Sequence, residues 1–260
     1  MKDAWQSGDP YEYFMGRWSN LVAEPFIDWL ASPVELKWLD VGCGSGALSE
    51  AIINKCNPVE VIAIDQSDGF VKTAQKRLGN KARCRVGNAL SLPLNDASVN
   101  NSVSGLVLNF VPEPSKLLSE MKRVTCDGGK VGIYIWDYAG KMEFLNQFWD
   151  AAVELDTKAS SLHEGSRFPG SNAEGLEQLF NQAGFKKITV TPIDINTDFK
   201  NFDDYWSPFL GGQGPAPSYV TTLDEAEREK LRNSLYERLP LKEDGRIPMV
   251  ARAWAAKGIV

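Results

Sequence analysis

The chain has 260 residues, of which 43% are hydrophobic and 24% are charged, a composition that supports a sizeable globular core. The formal net charge is −6 at pH 7, which argues against a nucleic-acid partner because phosphate binding requires a basic surface. The polar N-terminus lacks the apolar core of a signal peptide, and no apolar run approaches the roughly 18 to 20 residues that span a bilayer. We therefore expect a cytoplasmic protein whose four separated cysteines form no zinc site.

Strand and helix patterns alternate along the first half of the chain, from residue 20 to residue 137. Short apolar runs are followed by amphipathic runs, and this alternation predicts an α/β fold with a parallel, doubly wound sheet. Pro114 indicates a helix start, because the first turn of a helix does not need its N–H. We predict helices over 21–30, 47–55, 68–78 and 114–124, strands over 36–41, 59–64, 82–86, 102–110 and 130–136, and a turn at 127–129.

The second half of the chain is less regular. Capping-box spacing at 222–225 predicts the start of a helix that runs to about Leu239. The segments 160–171 and 211–217 are interpreted as loops, the latter because it is rich in glycine and proline. Further helices are predicted over 142–155 and 173–183, and further strands over 185–191 and 247–257.

The most informative stretch follows the first predicted strand and reads Leu-Asp-Val-Gly-Cys-Gly-Ser-Gly from residue 39 to residue 46. Glycine adopts the dihedrals of a strand-to-helix turn and has no Cβ to keep a ligand from the backbone. Asp40 precedes the glycines, and Asp65 ends the next strand, where a carboxylate can accept hydrogen bonds from both hydroxyls of a ribose. The strand, the glycines and the two acids together predict a site for a nucleotide-like ligand.

This constellation resembles the first motif of the class I S-adenosylmethionine-dependent methyltransferases, which is an acid, one residue and then G-x-G-x-G. Within that family the chain is similar to small-molecule, type 11-like enzymes of the ubiquinone and menaquinone kind. The resemblance covers about residues 36–257 and implies a seven-stranded, mostly parallel, Rossmann-like sheet whose last strand is antiparallel. It implies one methyltransferase domain over 36–260, an N-terminal arm over 1–35 that covers the cofactor, and insertions at 138–171 and 193–245 that form a substrate lid.

The same resemblance implies which residues hold S-adenosylmethionine and its product S-adenosylhomocysteine. Asp65 would bind the ribose, and Asn88 stands where the family often has an aspartate but keeps one carbonyl acceptor for the adenine amino group. Asn109, at the end of the fourth strand, would touch either the cofactor or the methyl acceptor. Arg17 would pair with the methionine carboxylate, although its aromatic segment could instead only pack on the domain. The expected cofactor-binding residues are Arg17, Asp40, Gly42, Cys43, Gly44, Gly46, Asp65, Gln66, Asn88, Ala89, Leu90, Leu108 and Asn109.

Methyl transfer from a sulfonium is an in-line displacement, so alignment and exclusion of water do most of the catalytic work. A general base is needed only when the acceptor is protonated. The candidates are Asp137 and His163, for which helix capping or, for the histidine, solvent exposure is the alternative interpretation. Aromatic residues in the insertions suit a small, partly apolar acceptor, unless they only pack the insertions onto the domain. The expected substrate-binding residues are Tyr11, Trp136, Arg167 and Trp206, and no metal is expected.

Two other functions share parts of this pattern. An NAD(P)-dependent oxidoreductase also has a glycine turn and an acid after the second strand, but residues 42–46 lack its G-x-G-x-x-G spacing. A non-catalytic S-adenosylmethionine-binding protein would carry the same motifs as an enzyme. The leading prediction is methyl transfer to a small-molecule acceptor, with no nucleic-acid partner and no membrane span; the sequence does not set the oligomeric state.

Overall fold

The structure is a computed structural model that describes residues 12–212 and 214–260. The expected substrate residue Tyr11 lies outside this range. The chain forms two compact units. The first, called the sheet unit, comprises Ser19–Ile135, Gly170–Ile193 and Ala253–Val260. The second, called the inserted unit, comprises residues 12–18 together with Trp136–Pro169 and Asp194–Arg252.

A seven-stranded sheet, with six parallel strands and one antiparallel strand, confirms the predicted fold class. The strand order is β3-β2-β1-β4-β5-β7-β6. The chain starts at β1, moves outward to β3 and then returns to place β4 on the other side of β1. Open α/β sheets bind ligands beside such a reversal, at the carboxyl ends of the strands. The strands are β1 Lys37–Val41, β2 Glu60–Asp65, β3 Arg83–Val86, β4 Val99–Gly105, β5 Thr125–Trp136, β6 Lys186–Asn196 and β7 Val250–Ile259.

Helices connect the strands and make up most of the inserted unit. Ser67 caps the helix after β2, as predicted, by accepting a hydrogen bond from the N–H of Phe70. Within the described residues, no helix is both long enough and apolar enough to cross a bilayer. The helices are α1 Arg17–Leu30, α2 Ala47–Cys56, α3 Asp68–Leu78, α4 Pro114–Val124, α5 Glu143–Leu155, α6 Glu164–Arg167, α7 Ala173–Gln182, α8 Phe202–Trp206, α9 Pro215–Thr222 and α10 Glu225–Arg238.

The two units have cores of different chemistry. In the sheet unit the core is mostly aliphatic: strand residues such as Val131 form one cluster with Leu117 of α4 and Phe180 of α7. In the inserted unit the core is aromatic: the rings of Phe148 and Phe209 stack with centroids 4.4 Å apart and an interplanar angle of 8°. Each unit therefore buries enough apolar surface of its own to hold its elements together.

The predicted strand 102–110 is too long at its carboxyl end, because β4 stops at Gly105. The N–H of Leu106 still donates to the carbonyl of Tyr134 on β5 at 2.8 Å. Leu106 has a φ of +62°, a left-handed conformation that costs about 1 to 3 kcal/mol for a residue other than glycine. The chain then forms a short 3₁₀ helix over Leu108–Phe110. The apolar run concealed this turn because its residues stay hydrophobic beyond the end of the strand.

Other boundaries in the sequence-based prediction were also wrong. The turn predicted at 127–129 is part of β5, and the loop predicted over 160–171 contains α6. The glycine- and proline-rich segment opens α9 at Pro215, because proline fits the first turn of a helix. The capping box is formed by Asp224 and Glu227, not by the residues at 222 and 225.

Candidate functional site

The glycine turn between β1 and α2 combines a closed side and an open side. A Cβ on Gly42 (φ +73°) would lie 2.3 Å from Cγ2 of Val107, so packing excludes any side chain there. A Cβ on Gly44 (φ +53°) would meet no atom within 4 Å. The backbone at Gly44 is therefore exposed to close approach by a ligand, which fits the methionine part of S-adenosylmethionine.

Asp65, at the end of β2, holds this turn in place. One carboxylate oxygen accepts a hydrogen bond from the N–H of Gly44 at 3.0 Å, and the other accepts from the N–H of Ser67 at 2.8 Å. Burial raises the pKa of the Asp65 carboxyl, while these backbone N–H groups act in the opposite direction. Each carboxylate oxygen has a further lone pair, so Asp65 can also accept from ribose hydroxyls.

Asp40 lies deeper, with 1% of its surface exposed. Its Oδ2 accepts a hydrogen bond from the hydroxyl of Ser49 at 2.7 Å, whereas its Oδ1 is buried without a partner among the described residues. Burial raises the pKa of the Asp40 carboxyl to about 7, and the nearby charge of Asp65 acts in the same direction. A buried acceptor without a donor is costly, so Oδ1 suits a donor supplied by a ligand such as the cofactor's ammonium group.

Cys43 and Gln66 flank these acids. Cys43 is buried, and burial raises the pKa of its thiol, as do the neighbouring carboxylates. The thiol therefore stays protonated and is not a nucleophile. Gln66 is exposed directly after β2, where its side chain is accessible to the base of a nucleotide.

The loop after β3 is an asparagine turn. The side-chain carbonyl of Asn88 accepts a hydrogen bond from the N–H of Leu90 at 2.9 Å, and its backbone carbonyl accepts from Ser91 at 3.0 Å. The side-chain carbonyl oxygen of Asn88, expected to meet the adenine amino group, thus already accepts one hydrogen bond. A carbonyl oxygen can accept two, so the expected contact remains available. Ala89 and Leu90 are half-buried beside it.

Asn109 has a partner that the sequence did not indicate. Its Oδ1 accepts a hydrogen bond from the hydroxyl of Ser171 at 2.9 Å, within the sheet unit. Ser171 is 3% exposed, and Leu108 beside Asn109 is buried as well. Ser171 lies 62 positions further along the chain, in a segment interpreted as a loop, so no local pattern could link the two residues.

Arg17 is engaged inside the inserted unit. Its guanidinium forms two hydrogen bonds with the carboxylate of Asp204, at 2.8 and 3.2 Å. The guanidinium carbon also lies 4.1 Å from the ring centre of Trp18 and 4.9 Å from that of Phe199. The Asp204 pair occupies two of the five guanidinium N–H donors, and no contact to a cofactor is shown, so the assignment to the methionine carboxylate stays a prediction.

Both candidate bases have structural roles: His163 caps a helix and Asp137 holds a turn. The Asp137 carboxylate accepts hydrogen bonds from the N–H groups of Gly140 and Lys141 at 3.1 and 3.2 Å. Nδ1 of His163 accepts from the N–H of Gly165 at 2.8 Å and so caps α6. Burial lowers the pKa of His163, and a neutral ring whose Nδ1 is an acceptor carries its proton on Nε2. His163 then has no second lone pair with which to take a proton.

The remaining expected substrate residues all belong to the inserted unit. Trp136 and Trp206 are buried, and the guanidinium carbon of Arg167 lies 5.1 Å from the ring centre of Phe168. The aromatic residues of 202–209 mostly pack on one another, and the hydroxyl of Tyr205 donates to the carbonyl of Phe144 at 2.8 Å. Among the described residues, no group of three or more histidine, cysteine or acidic side chains could hold a metal ion.

The structure thus brings one set of expected residues to a common edge. The expected residues at or after the ends of β1 to β4 lie in the sheet unit. Because β1 to β4 are parallel neighbours, their carboxyl ends lie at the same edge of the sheet. The others lie in the inserted unit. The shared set is Asp40, Gly42, Cys43, Gly44, Gly46, Asp65, Gln66, Asn88, Ala89, Leu90, Leu108 and Asn109.

A family model described as a methyltransferase domain matches residues 39–133, which include the glycine turn, both acids and the 3₁₀ turn with Asn109. A demethylmenaquinone methyltransferase of Anoxybacillus flavithermus is 30% identical over 176 residues, covering 60% of this chain and 72% of that relative. An arsenite methyltransferase of Halobacterium salinarum is 26% identical over 166 residues, covering 62% of this chain but only 40% of that relative.

A solved structure supports the fold independently of sequence. The phosphoethanolamine N-methyltransferase 2 of Haemonchus contortus, in complex with S-adenosyl-L-methionine, superposes with a TM-score of 0.58 at 15% identity. The match covers 99% of this chain and 56% of that one. At this low identity the likeness shows a common fold.

Proposed function

Because the chain belongs to the S-adenosylmethionine-dependent methyltransferases, we propose that it methylates a small, partly apolar acceptor by in-line displacement. The observation that carries the proposal is the edge at β1 and β2, where an open backbone at Gly44 adjoins two carboxylates. S-adenosylmethionine supplies an electrophilic methyl group when bound. The chain's own residues would bind the cofactor, orient the acceptor and exclude water.

We propose a division of the cofactor among three loops. The glycine turn with Asp40 would hold the methionine part, because Asp40 Oδ1 receives no hydrogen bond from any residue that the structure describes. Asp65 would hold the ribose, and the loop from Asn88 to Leu90 would contact the adenine. Supporting this order, β1, β2 and β3 are successive neighbours in the sheet.

The proposed catalysis needs no protein base. Nδ1 of His163 accepts a backbone N–H group, which leaves its neutral ring without a lone pair for a proton. Asp137 is buried, and each of its oxygens already accepts a backbone N–H group, so we assign neither side chain the role of base. The acceptor would then be ionised or electron-rich at neutral pH. Rate enhancement would come from holding the nucleophile in line with the methyl group, a contribution that can reach about 7 to 11 kcal/mol.

The residues that select the acceptor are proposed to lie in the inserted unit, the substrate lid predicted over 138–171 and 193–245. Its aromatic composition, with Trp206 and Phe209 among its buried residues, supports an apolar acceptor over a polymer. The buried ring stack shows that much of this aromatic surface is structural, so exposed positions such as Leu210 are the better candidates for contact.

Of the acceptors that the two relatives' names suggest, a quinol such as demethylmenaquinol suits this chain better than arsenite. Soft ions such as arsenite favour thiolate ligands. Among the described residues, no group of three or more histidine, cysteine or acidic side chains could hold such an ion, and burial raises the pKa of the Cys43, Cys56 and Cys84 thiols. A quinol is apolar and electron-rich, which suits the aromatic composition of the inserted unit.

A cytoplasmic location and the absence of a nucleic-acid partner are also proposed. All four cysteines are free thiols, as is usual in a reducing compartment. The net charge of −6 opposes binding to phosphate polymers.

The experiment is a turnover assay that follows formation of S-adenosylhomocysteine. The acceptors are a naphthohydroquinone with a short isoprenoid side chain, arsenite with glutathione, and ethanolamine phosphate. The proposal expects turnover with the quinol, and turnover with arsenite alone would overturn the acceptor class. Binding of S-adenosylhomocysteine without turnover of any acceptor would favour the non-catalytic alternative.

A further inference from the structure

The hydrogen bond between Ser171 and Asn109 joins two rigid backbone segments. On one side, Asn109 lies in a 3₁₀ helix in which the N–H of Phe110 donates to the carbonyl of Val107 at 2.9 Å. The left-handed residue Leu106 sets the direction of this helix after β4. The side chain of Asn109 therefore starts from a backbone with little freedom.

On the other side, Ser171 lies in a tight turn before α7. The side chain of Asn172 caps the helix by accepting from the N–H of Gly175 at 2.8 Å. A Cβ on Gly175 would lie 2.3 Å from the carbonyl oxygen of Gly170, so the turn closes directly on the helix. Ser171 is buried between these contacts, where a hydrogen bond is stronger than in water.

This pair determines which edge of the Asn109 amide remains for a ligand. Oδ1 is occupied by the Ser171 hydroxyl at 2.9 Å, whereas Nδ2 makes no hydrogen bond within the described part of the chain. Asn109 is half-exposed, so its two N–H donors are accessible. A ligand that meets this edge must offer a hydrogen-bond acceptor.

The sheet order indicates which ligand that is. The residues proposed for the cofactor follow β1, β2 and β3, which run from the middle of the sheet to one edge. Asn109 follows β4, on the opposite side of β1. The amide therefore lies beyond the glycine turn, away from the proposed ribose and adenine contacts and on the side left for the acceptor.

We propose that Ser171 is a positioning residue that fixes the Asn109 amide with its N–H edge toward the methyl acceptor, which presents an oxygen to it. This inference rests on the proposed function, because it assumes a bound acceptor beside the cofactor. A quinol oxygen next to the accepting atom meets the requirement. Ionisation of that oxygen would strengthen the contact, because hydrogen bonds to charged acceptors are stronger than neutral ones.

The test uses Ser171→Ala, Asn109→Ala and the double variant in the full chain, with the isoprenoid naphthohydroquinone as acceptor. Ser171→Ala should lower kcat/KM for the acceptor about tenfold, since small misplacements at a reacting centre are costly. The double variant should be no worse than Asn109→Ala alone, because Ser171 acts through Asn109. The affinity for S-adenosylhomocysteine should stay within about twofold in all three.

Ser102→Ala is the matched control. Ser102 is also a buried serine of the sheet unit, and its hydroxyl pairs with that of Thr125 at 2.7 Å, near the start of β5. Its loss should lower stability without changing acceptor kinetics. Equal kinetic effects from Ser102→Ala and Ser171→Ala would show that Ser171 has only a structural role. Additive effects in the double variant would show that Ser171 does not act through Asn109.

A second measurement is independent of turnover. The side-chain amide signals of Asn109 in the ¹⁵N spectrum, assigned by their loss in Asn109→Ala, should be rigid in the wild type and mobile in Ser171→Ala. They should not shift when S-adenosylhomocysteine binds; a shift would place the amide on the cofactor and overturn the inference. If the quinol is not turned over while these amide results hold, the proposed acceptor fails and the positioning role of Ser171 stands.

Discussion

The carboxylate of Asp65 and the backbone N–H of Gly44 are joined by a hydrogen bond of 3.0 Å. The bond ties the end of β2 to the glycine turn after β1, two elements that are 21 positions apart in sequence. One side chain thus shapes the backbone surface proposed for the methionine part and offers its remaining lone pairs to the ribose. Its removal should affect binding more than folding.

Asp65→Ala should weaken binding of S-adenosylhomocysteine by about 1.5 to 3 kcal/mol, the range for hydrogen bonds to a charged group. Folding should be largely retained because the side chain lies at a strand end and is partly exposed. Titration calorimetry on the folded variant measures the change. Asp65→Asn keeps one acceptor oxygen, so its affinity for S-adenosylhomocysteine should lie between those of the wild type and Asp65→Ala. Unchanged affinity in both variants would remove Asp65 from the site.

The sequence predicted the elements that depend on local pattern. The glycine turn, Asp40 and Asp65 lie within one strand-turn-helix unit and the strand after it, so their spacing was sufficient to predict that they lie at one edge of the sheet; their role in binding stays a prediction. Contacts between distant segments were beyond reach. The partnership of Asn109 with Ser171 depends on how α7 returns to the sheet, and that of Arg17 with Asp204 spans 187 positions.

Asp40 should make stability depend on pH. Burial raises its pKa from 3.8 to about 7, so the native state keeps a proton that the unfolded chain releases at lower pH. The stabilisation is complete below the unfolded pKa and is lost as the pH rises to about 7. Relative to Asp40→Asn, the wild type should lose up to about 1.4 kcal/mol per pH unit between about pH 4 and about pH 7, and then level off.

Urea unfolding of both proteins across this range measures the difference. Ser49→Ala removes the hydroxyl that stabilises the ionised Asp40, and its loss should raise the pKa of Asp40 further. The fall in the free energy of unfolding of this variant should therefore continue to higher pH. Parallel stability curves for wild type and Asp40→Asn would show that Asp40 does not titrate in this window.

Arg17→Met should act on the inserted unit. Because the guanidinium pairs with Asp204 and stacks on Trp18, its loss should lower the free energy of unfolding by about 1 kcal/mol, a figure reduced for partial exposure. Affinity for S-adenosylhomocysteine should change by less than about twofold. Asp204→Asn is the matched variant and should lower stability similarly; a large affinity loss confined to Arg17→Met would instead favour the methionine carboxylate as its partner.

Gly42→Ala and Gly44→Ala should separate the two sides of the glycine turn. Both residues have positive φ, so alanine introduces strain of about 1 to 3 kcal/mol at either position. At Gly42 the new methyl also collides with Val107, and overpacking adds about 1 to 3 kcal/mol. At Gly44 the methyl enters open space, where it should obstruct the cofactor.

Gly42→Ala should therefore lose more stability, whereas Gly44→Ala should lose at least about tenfold in affinity for S-adenosylhomocysteine while remaining folded. Urea unfolding and calorimetry give the two quantities on the same samples. Val107→Ala in the Gly42→Ala background removes Cγ1 and Cγ2, the two atoms closest to the new methyl, and it should recover most of the loss that is due to collision. If Gly44→Ala binds S-adenosylhomocysteine as well as the wild type, the ligand does not approach the backbone there and the glycine turn serves folding alone.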